Sequence, residues 1–500
     1  MPKRAQVGGM QEVFIRLKGT GLPNINRAIT QIQKLGGKVL HAYPPSVLVA
    51  SVPAGSGTKL IGKANIVAAE TGPFSQKALK AAPREIGFGM AAWNEHISAE
   101  RRMRVMASRE LGKSWDTPRL QPPDPPKDIL DRLRKREAEM APQRTLRRGP
   151  MRKVNLNIPV LVNRIGVGLV YVDSTVSAYQ ITDQEKLKVL GETTEGLNML
   201  AGFEPRANIQ WFYDIKRPKI SLAASQFTNA NKNSWEDLWR NAALGAMGYT
   251  ASLAGMNKYI ADIKTKFNAQ WAYAVFVTKY PKDWFGYYWG NHVVMDFQVD
   301  GWGINNFNLV IAHETGHVFG CGDEYTSSGC TCTSLHGRYQ VANGNCESCA
   351  ASFIPCLMAH NTMAICDYSR GQLGWNELAV QSKGTTTLKG TWTFDFDTGI
   401  QGPATGADLW WEQVNNVNRL LVPQNGAMLA LMGKPNFDAV SYPTLKSQAY
   451  TTTPINGSNN SSNKLTAGTV IAIKTGAGRY AKMKINSYGY NLGITWVTYK

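Results

Sequence analysis

The 500-residue chain lacks any long hydrophobic run, since none of its apolar stretches approaches the roughly 18 residues that a membrane-spanning helix requires. It also lacks the apolar core of a signal peptide, because glycine and polar residues follow the basic pair Lys3 and Arg4. These absences argue against a membrane span and against secretion by the ordinary route. We expect an extracellular protein exported by a non-classical route, with a cytoplasmic location as the alternative.

Cysteine is absent from the first 320 residues, and all seven cysteines lie between Cys321 and Cys366. Cys321 is expected to be a small buried filler. The other six fall in a loop-rich stretch, where disulfides worth about 2–4 kcal/mol each would supply order that its few apolar residues cannot. We expect one bond between Cys356 and Cys366 and two of undecided pairing among Cys330, Cys332, Cys346 and Cys349. A second, structural zinc ion at those four cysteines, or reduced thiols, are the alternatives.

Acidic residues are scarce in the N-terminal part: residues 1–150 carry 26 Lys and Arg but only 12 Asp and Glu, and so hold +14 of the net charge of +19. The proline-rich and charged segments between residues 101 and 150 are typical of a solvated linker. A processing site near Arg147 and Arg148 is the functional alternative. Binding to an acidic membrane surface or to nucleic acid is a third reading. Nucleic acid is disfavoured, because no stacked-aromatic or recognised nucleic-acid motif accompanies the charge.

One continuous motif carries most of the functional information. Residues 313–323 read His-Glu-Thr-Gly-His-Val-Phe-Gly-Cys-Gly-Asp and fit the zinc-ligand pattern H-E-x-x-H-x-x-G-x-x-D. On a helix, His313 and His317 are one turn apart and face the same way, so both imidazoles can bind one metal ion. Gly320 lets the chain leave the helix in a conformation that few other residues adopt, which returns Asp323 as a third ligand. Three protein ligands leave a fourth position open to water.

Glu314 stands beside the first histidine and can reach a metal-bound water, which it would deprotonate before delivering the proton to the leaving amine. The motif therefore predicts a zinc-dependent endopeptidase with one catalytic Zn²⁺ and a protein or peptide substrate. Chance would produce the full pattern in only a few of roughly 10⁵ chains of this length. Two alternatives stay open: a catalytically inactive, zinc-bearing adhesion or binding protein, and a basic surface-binding or nucleic-acid-binding protein.

A second motif, residues 354–359, follows the zinc helix and contains Met358. With it the chain resembles the metzincin clan of zinc endopeptidases, in which a methionine-bearing turn passes beneath the metal, and Met358 is the matching position. The acid at the third-ligand position resembles the aspartate-type branch, which includes snapalysin-like, immune-inhibitor-A-like and bacterial IgA-peptidase-like enzymes. His360 stands where the astacin and serralysin pattern has a tyrosine, so His360, Tyr325 and Tyr368 are all candidates for stabilising the oxyanion.

The segments around both motifs predict an α/β catalytic domain over residues 151–380. Strands are predicted at residues 154–160, 167–172, 208–214, 271–277 and 292–297. Helices are predicted at residues 183–202 and 256–267. The resemblance implies that these elements form the metzincin N-terminal subdomain above a cleft.

Residues 1–78 are predicted to form a ferredoxin-like β-α-β-β-α-β unit, with elements at 11–18, 25–35, 38–43, 46–52, 58–62 and 64–68. This order resembles the propeptide fold that chaperones and inhibits subtilisin-type proteases, so we expect a latent precursor. A permanent interaction domain is the alternative. A basic, proline-rich helical linker follows over residues 79–150. Because residues 1–150 contain no cysteine, latency through a prosegment thiolate on the zinc is excluded.

Residues 381–500 are rich in Thr, Gly, Asn and aromatic residues and predict a β-sandwich-like accessory module. Strands are predicted at residues 385–388, 391–396, 420–422, 470–474, 480–485 and 494–499. Tandem tryptophans such as Trp410 and Trp411 are expected to divide between core and surface; a platform for a polysaccharide or surface ligand is the alternative. The whole chain is therefore expected to be multidomain, α/β plus β.

Overall fold

The computed structural model describes residues 9–98, 110–125, 157–377, 380–403, 405–440 and 442–499. These residues form two compact units. The first contains the described residues up to Cys332 together with Asn345–Cys366, and the second contains Thr333–Gly344 and the described residues from Asp367 onward. The C-terminal part of the predicted linker, from residue 126 on, and the predicted processing site at Arg147 and Arg148 lie outside the described residues.

The N-terminal elements follow the predicted β-α-β-β-α-β order, except that a single 3-10 turn replaces the second helix. They are β1 (Met10–Leu17), α1 (Leu22–Lys34), β2 (Lys38–Tyr43), β3 (Val47–Pro53), a 3-10 helix (Gly57–Leu60) and β4 (Ile66–Glu70), followed by α2 (Gln76–Ala81) and α3 (Arg84–Ile97). Helix α1 carries a proline in its first turn, where the missing N–H costs nothing. Its apolar face, which includes Ile25 and Ile29, is buried in the core.

The central segment supplies the elements that surround the motif. They are β5 (Arg164–Ser174), α4 (Asp183–Gly202), β6 (Gln210–Lys216), β7 (Lys219–Ile220), α5 (Trp235–Ala246), α6 (Leu253–Phe267), β8 (Trp271–Thr278), β9 (Gly286–Trp289), β10 (His292–Asp296) and α7 (Phe307–Val318). Helix α4 begins as predicted, with a capping box between Thr182 and Glu185. The strand predicted at 154–160 is wrong over its described part, since residues 157–160 form a turn and coil. Pro159 has no N–H to give to a sheet.

One sheet runs through the first unit in the order β4-β1-β3-β2-β6-β5-β8-β10-β9, with β7 paired to β5. The strands β2, β6, β5, β8 and β10 pair in parallel, and β9 closes the row as an antiparallel edge strand. The N-terminal strands therefore extend the central sheet through β2. The sequence predicted neither this continuity nor strand β9, whose four residues are too few to show alternation.

The zinc-motif helix α7 is buried along almost its whole length, from Phe307 to Gly316. It crosses α4 at Gly196, where a Cβ atom would collide with the backbone carbonyl of Asn308. Close approach at this glycine fixes the depth of α7 in the unit, and with it the depth of the motif.

The second unit contains the C-terminal all-β region. Its elements are β11 (Leu335–His336), β12 (Val341–Ala342), α8 (Asp367–Gln372), β13 (Val380–Leu388), β14 (Thr393–Asp395), β15 (Ile400–Gln401), β16 (Leu409–Gln413), β17 (Arg419–Pro423), β18 (Met428–Gly433), α9 (Tyr442–Lys446), β19 (Ile455–Asn456), β20 (Val470–Lys474), β21 (Tyr480–Ser487) and β22 (Leu492–Tyr499). Two five-stranded sheets, β13-β22-β21-β20-β18 and β15-β14-β16-β17-β19, share one apolar core.

The tandem tryptophans of β16 divide between core and surface. Trp411 is fully buried, whereas Trp410 is half-buried and donates its indole N–H to the carbonyl of Thr391 at 3.1 Å. The expected division is confirmed, and the alternative of a ligand platform formed by both rings is wrong. Within the described residues, no helix is both long enough and apolar enough to cross a membrane.

Candidate metal centre

Helix α7 and the turn after it bring the three predicted ligands together. His313 and His317 face the same way, and their Nε2 atoms lie 3.1 Å apart. Gly320 adopts φ +89°, and the backbone N–H of Cys321 donates to the carbonyl of Gly316 at 2.9 Å, which ends the helix. Asp323 then places Oδ1 at 3.3 Å from Nε2 of His313 and at 3.1 Å from Nε2 of His317.

The hydrogen bonds of the two imidazoles fix their tautomers. Nδ1 of His313 lies 3.0 Å from the carbonyl of Leu357, and Nδ1 of His317 lies 2.8 Å from the carbonyl of Cys321. A carbonyl only accepts, so each Nδ1 carries the hydrogen and each neutral ring presents a lone pair at Nε2. Two lone pairs facing each other require a proton or a cation between them. The four facing groups could therefore hold a cation.

A fourth residue, Asp124, joins this cluster. Its Oδ2 lies 2.8 Å from Nε2 of His317 and 3.6 Å from Nε2 of His313. Asp124, His313, His317 and Asp323 each offer a ligand atom within 4.8 Å of the others, so they could hold a metal ion. The sequence did not predict Asp124, which stands in the proline-rich stretch at 121–126 that was interpreted as linker.

The two carboxylates of the cluster stabilise positive charge on the groups between them. Burial by itself would lower the pKa of His313, but hydrogen bonds to Asp124 and Asp323 outweigh it and raise the pKa to about 9. Burial likewise opposes protonation of His317, yet the charges of the same carboxylates raise its pKa well above the usual value. Burial disfavours ionisation of Asp124, but the charge of His317 and hydrogen bonds from both rings lower its pKa. A divalent cation could replace the protons that these shifts demand.

Glu314 lies fully buried beside the cluster. Burial first, and then the charge of Asp124, raise its pKa well above the usual value. Neither carboxylate oxygen has a hydrogen-bond partner among the described residues. A Cβ atom on Gly286 of β9 would lie 3.6 Å from Oε1, so the carboxylate faces the edge strand. Glu314 is therefore placed to exchange a proton with a group bound between β9 and the cluster.

Met358 is buried beneath α7. A Cβ atom on Gly316 would lie 2.8 Å from its Sδ, so the glycine makes room for the thioether one residue before His317. The adjacent residue, Leu357, supplies the carbonyl that orients His313. The segment that carries Met358 thus supports the helix and one imidazole together.

The predicted bond between Cys356 and Cys366 is wrong, because the structure has both as buried thiols. The Cys366 thiol donates to the carboxylate of Glu324 at 3.0 Å, and the Cys356 sulfur accepts the backbone N–H of Cys366 at 3.3 Å. The two thiols therefore lie close together beside Glu324 without a bond between their sulfur atoms. Cys321 is also a buried thiol, as predicted.

The other four cysteines form two disulfides, Cys330–Cys346 and Cys332–Cys349. The prediction of two bonds among these four is confirmed, and the structure adds their pairing. A structural zinc ion at the same four sulfurs is excluded, because the sulfurs are bonded to one another.

The three oxyanion candidates occupy different surroundings. Tyr325 is buried, its ring centroid lies 6.4 Å from that of His313, and its hydroxyl donates to the carbonyl of Pro123 at 2.6 Å. His360 is hydrogen-bonded to Glu347 at 2.8 Å. Tyr368 belongs to the second unit. Tyr325 therefore lies close to the cluster.

Comparison of the chain with protein-family models, with curated proteins and with solved structures finds no match. The resemblance to the metzincin clan therefore rests on the two sequence motifs and stays a prediction.

Proposed function

We propose that the protein is a zinc-dependent endopeptidase that hydrolyses internal peptide bonds of a protein or peptide. The observation that carries this proposal is the convergence of His313, His317 and Asp323, with both Nε2 lone pairs turned inward, next to the buried carboxylate of Glu314. Imidazole and carboxylate are common zinc ligands, and a glutamate beside the first histidine is the usual general base.

The spacing of the donor atoms suits zinc. Four ligands at about 2.0 Å from a tetrahedral zinc ion are about 3.3 Å from one another. The separations that involve the imidazole nitrogens run from 2.8 Å, between Asp124 and His317, to 3.6 Å, between Asp124 and His313. The site is therefore of the right size for zinc without rearrangement of the helix.

A bound zinc ion would supply Lewis acidity, polarising the scissile carbonyl and making water acidic enough to act as a nucleophile near neutral pH. Glu314 accepts the proton of the attacking water and returns it to the leaving amine. Its burial keeps bulk water away from that proton. Strand β9 lies at the sheet edge beside Glu314, where an extended substrate could add its backbone as a further strand.

A non-catalytic zinc protein is the second candidate, and Glu314 argues against it. A buried carboxyl without a hydrogen-bond partner lowers the stability of the fold. A purely structural zinc site would gain nothing from keeping it. The same residue is needed in a hydrolase. We also propose an extracellular setting, because two disulfides are typical of an oxidising compartment, and an accessory substrate-binding or polysaccharide-binding role for the second unit.

A peptide-library digestion tests the proposal. The full chain and its Asp124→Ala variant are loaded with zinc and incubated with the library, with and without phenanthroline. We expect cleavage of internal bonds by at least one of the two proteins, its loss with the chelator and its return with added zinc. Glu314→Gln, introduced into both proteins, is the matched control. These variants should bind zinc without cleaving the library. Chelator-resistant cleavage, or no cleavage by either zinc-loaded protein, would contradict the proposal.

A further inference from the structure

Asp124 belongs to residues 110–125, a described segment that lies along the metal cluster and is termed the strap below. Trp115 anchors it: the ring is fully buried, lies 5.4 Å from that of His313, and donates its indole N–H to the carbonyl of Leu357 at 2.8 Å. The backbone N–H of Trp115 also donates to the carbonyl of Ala359 at 2.9 Å. The strap is therefore fastened to the same Met358 segment that supports the cluster.

Near the cluster, the carbonyls of three successive strap residues each accept a hydrogen bond from a side chain further along the first unit. The pairs are Gln121 with Trp302 at 2.5 Å, Pro122 with Trp284 at 2.9 Å and Pro123 with Tyr325 at 2.6 Å. The next residue, Asp124, donates its backbone N–H to the carbonyl of Gly286 in β9 at 3.0 Å. The strap thus binds a backbone carbonyl of the edge strand β9. An extended substrate would need the same backbone atoms to pair with this strand.

The carboxylate of Asp124 completes the coordination of the cluster. Three protein ligands leave a catalytic zinc ion one open position, whereas four protein ligands make the closed tetrahedral arrangement of structural sites. The two carboxylates also balance the charge of a divalent ion, while the two neutral imidazoles add none. The buried site would then carry no net charge, which is the arrangement that burial favours. Prolines at 123 and 125 restrict the backbone on both sides of Asp124, so little conformational freedom is lost when it binds.

From this geometry we propose that Asp124 is the fourth protein ligand of the metal, and that the strap keeps the full chain latent until it is displaced. The inference rests on the proposed zinc endopeptidase function. The carboxylate of Asp124 would regulate that site. Its binding explains why the cluster is closed although the buried Glu314 lies beside it.

Cobalt(II) tests the fourth ligand without relying on activity, because its visible spectrum reports the ligand set. The full chain, Asp124→Ala and Asp124→Asn are loaded with cobalt and titrated with acetohydroxamate, a small chelator that needs open metal positions. Asp124→Asn preserves the size of the side chain and the backbone bond to Gly286, which guards against a folding failure in the alanine variant. Asp116→Asn is the matched control: Asp116 lies in the same strap but hydrogen-bonds Ser327 instead of the metal cluster.

We expect every variant to bind one equivalent of cobalt. Both Asp124 variants should bind acetohydroxamate at least tenfold more tightly than the unaltered chain, and with zinc they should cleave peptide at least tenfold faster. Asp116→Asn should behave as the unaltered chain does. Equal hydroxamate affinity and equal cleavage by the unaltered chain would overturn the inference but leave the proposed function standing. An opened cobalt site with no cleavage would instead overturn the proposed function, while absence of cobalt binding in all forms would overturn both.

Discussion

Removing the metal from the full chain should lower its stability, and the loss should grow as the pH rises from about 6.5 to about 9. A ligand present at 1,000 times its dissociation constant stabilises the native state by about 4 kcal/mol. For a unit of this size, where 1 kcal/mol moves Tm by roughly 2–4 °C, the chelated protein should melt about 8–16 °C lower.

The pH dependence follows from His313, whose pKa in the metal-free fold is raised to about 9. Its protonation stabilises the metal-free fold fully below about 6.5, the pKa of an unfolded histidine, and this stabilisation is lost as the pH rises through about 9. The shift of about 2.5 units corresponds to about 3 kcal/mol as an upper bound. In the zinc-bound protein both rings are already neutral, so that loss does not occur.

Calorimetric melting of zinc-loaded and chelated protein at pH 6.5, 7.5 and 9 measures both effects. The gap in Tm between the two forms should widen with pH. His317→Ala combined with Asp124→Ala, which lacks two of the four ligands, should show no gap at any pH. A gap that stays constant or narrows between pH 6.5 and 9 would refute the assignment of neutral, metal-binding imidazoles.

Three further substitutions, two of them with a matched control, test the site and its support. In Asp124→Ala protein, Glu314→Gln should retain zinc and Tm but slow peptide cleavage by roughly 10²–10⁴ in a steady-state assay, since it removes only the proton acceptor; a smaller loss in fully loaded protein would count against the role. Gly196→Ala should destabilise the fold by about 1–3 kcal/mol in denaturant titrations, because the new Cβ would meet the carbonyl of Asn308. Gly202→Ala, at a position with nothing within 4 Å of the new Cβ, is its control and should not destabilise. Met358→Ala should cost about 2–5 kcal/mol and weaken zinc binding, whereas Met358→Leu should cost less than about 1.5 kcal/mol. Equal effects of the two Met358 substitutions would show that filling the space beneath α7 is not what matters.

The parts of the site that could be predicted from the sequence are those specified by local spacing. One helical turn separates His313 from His317, and Gly320 supplies the left-handed residue that returns Asp323, so the ligand set follows from a few consecutive residues. The same holds for α4, whose start is encoded by the capping box of Thr182 and its end by Gly202.

The parts that could not be predicted depend on contacts between distant segments. Asp124 reaches the cluster only because the strap is held by side chains far along the chain, and a lone acid among prolines carries no local pattern. Cys356 and Cys366 were expected to bond across the turn that carries Met358. Their partners, Glu324 and a backbone N–H, are set by the fold around them.

One metal ion is expected to lie between the two imidazoles and the carboxylate of Asp323. Native mass spectrometry counts the zinc ions of the full chain, expressed in zinc-containing medium and exchanged into volatile buffer. The comparison is with His317→Ala and Asp323→Ala, each combined with Asp124→Ala so that only two ligands remain. We expect one zinc per chain in the unaltered protein and none in either double variant, with the disulfide-bonded mass otherwise unchanged. An unaltered chain without zinc, or a double variant that still holds one equivalent, would show that these residues do not form the metal site.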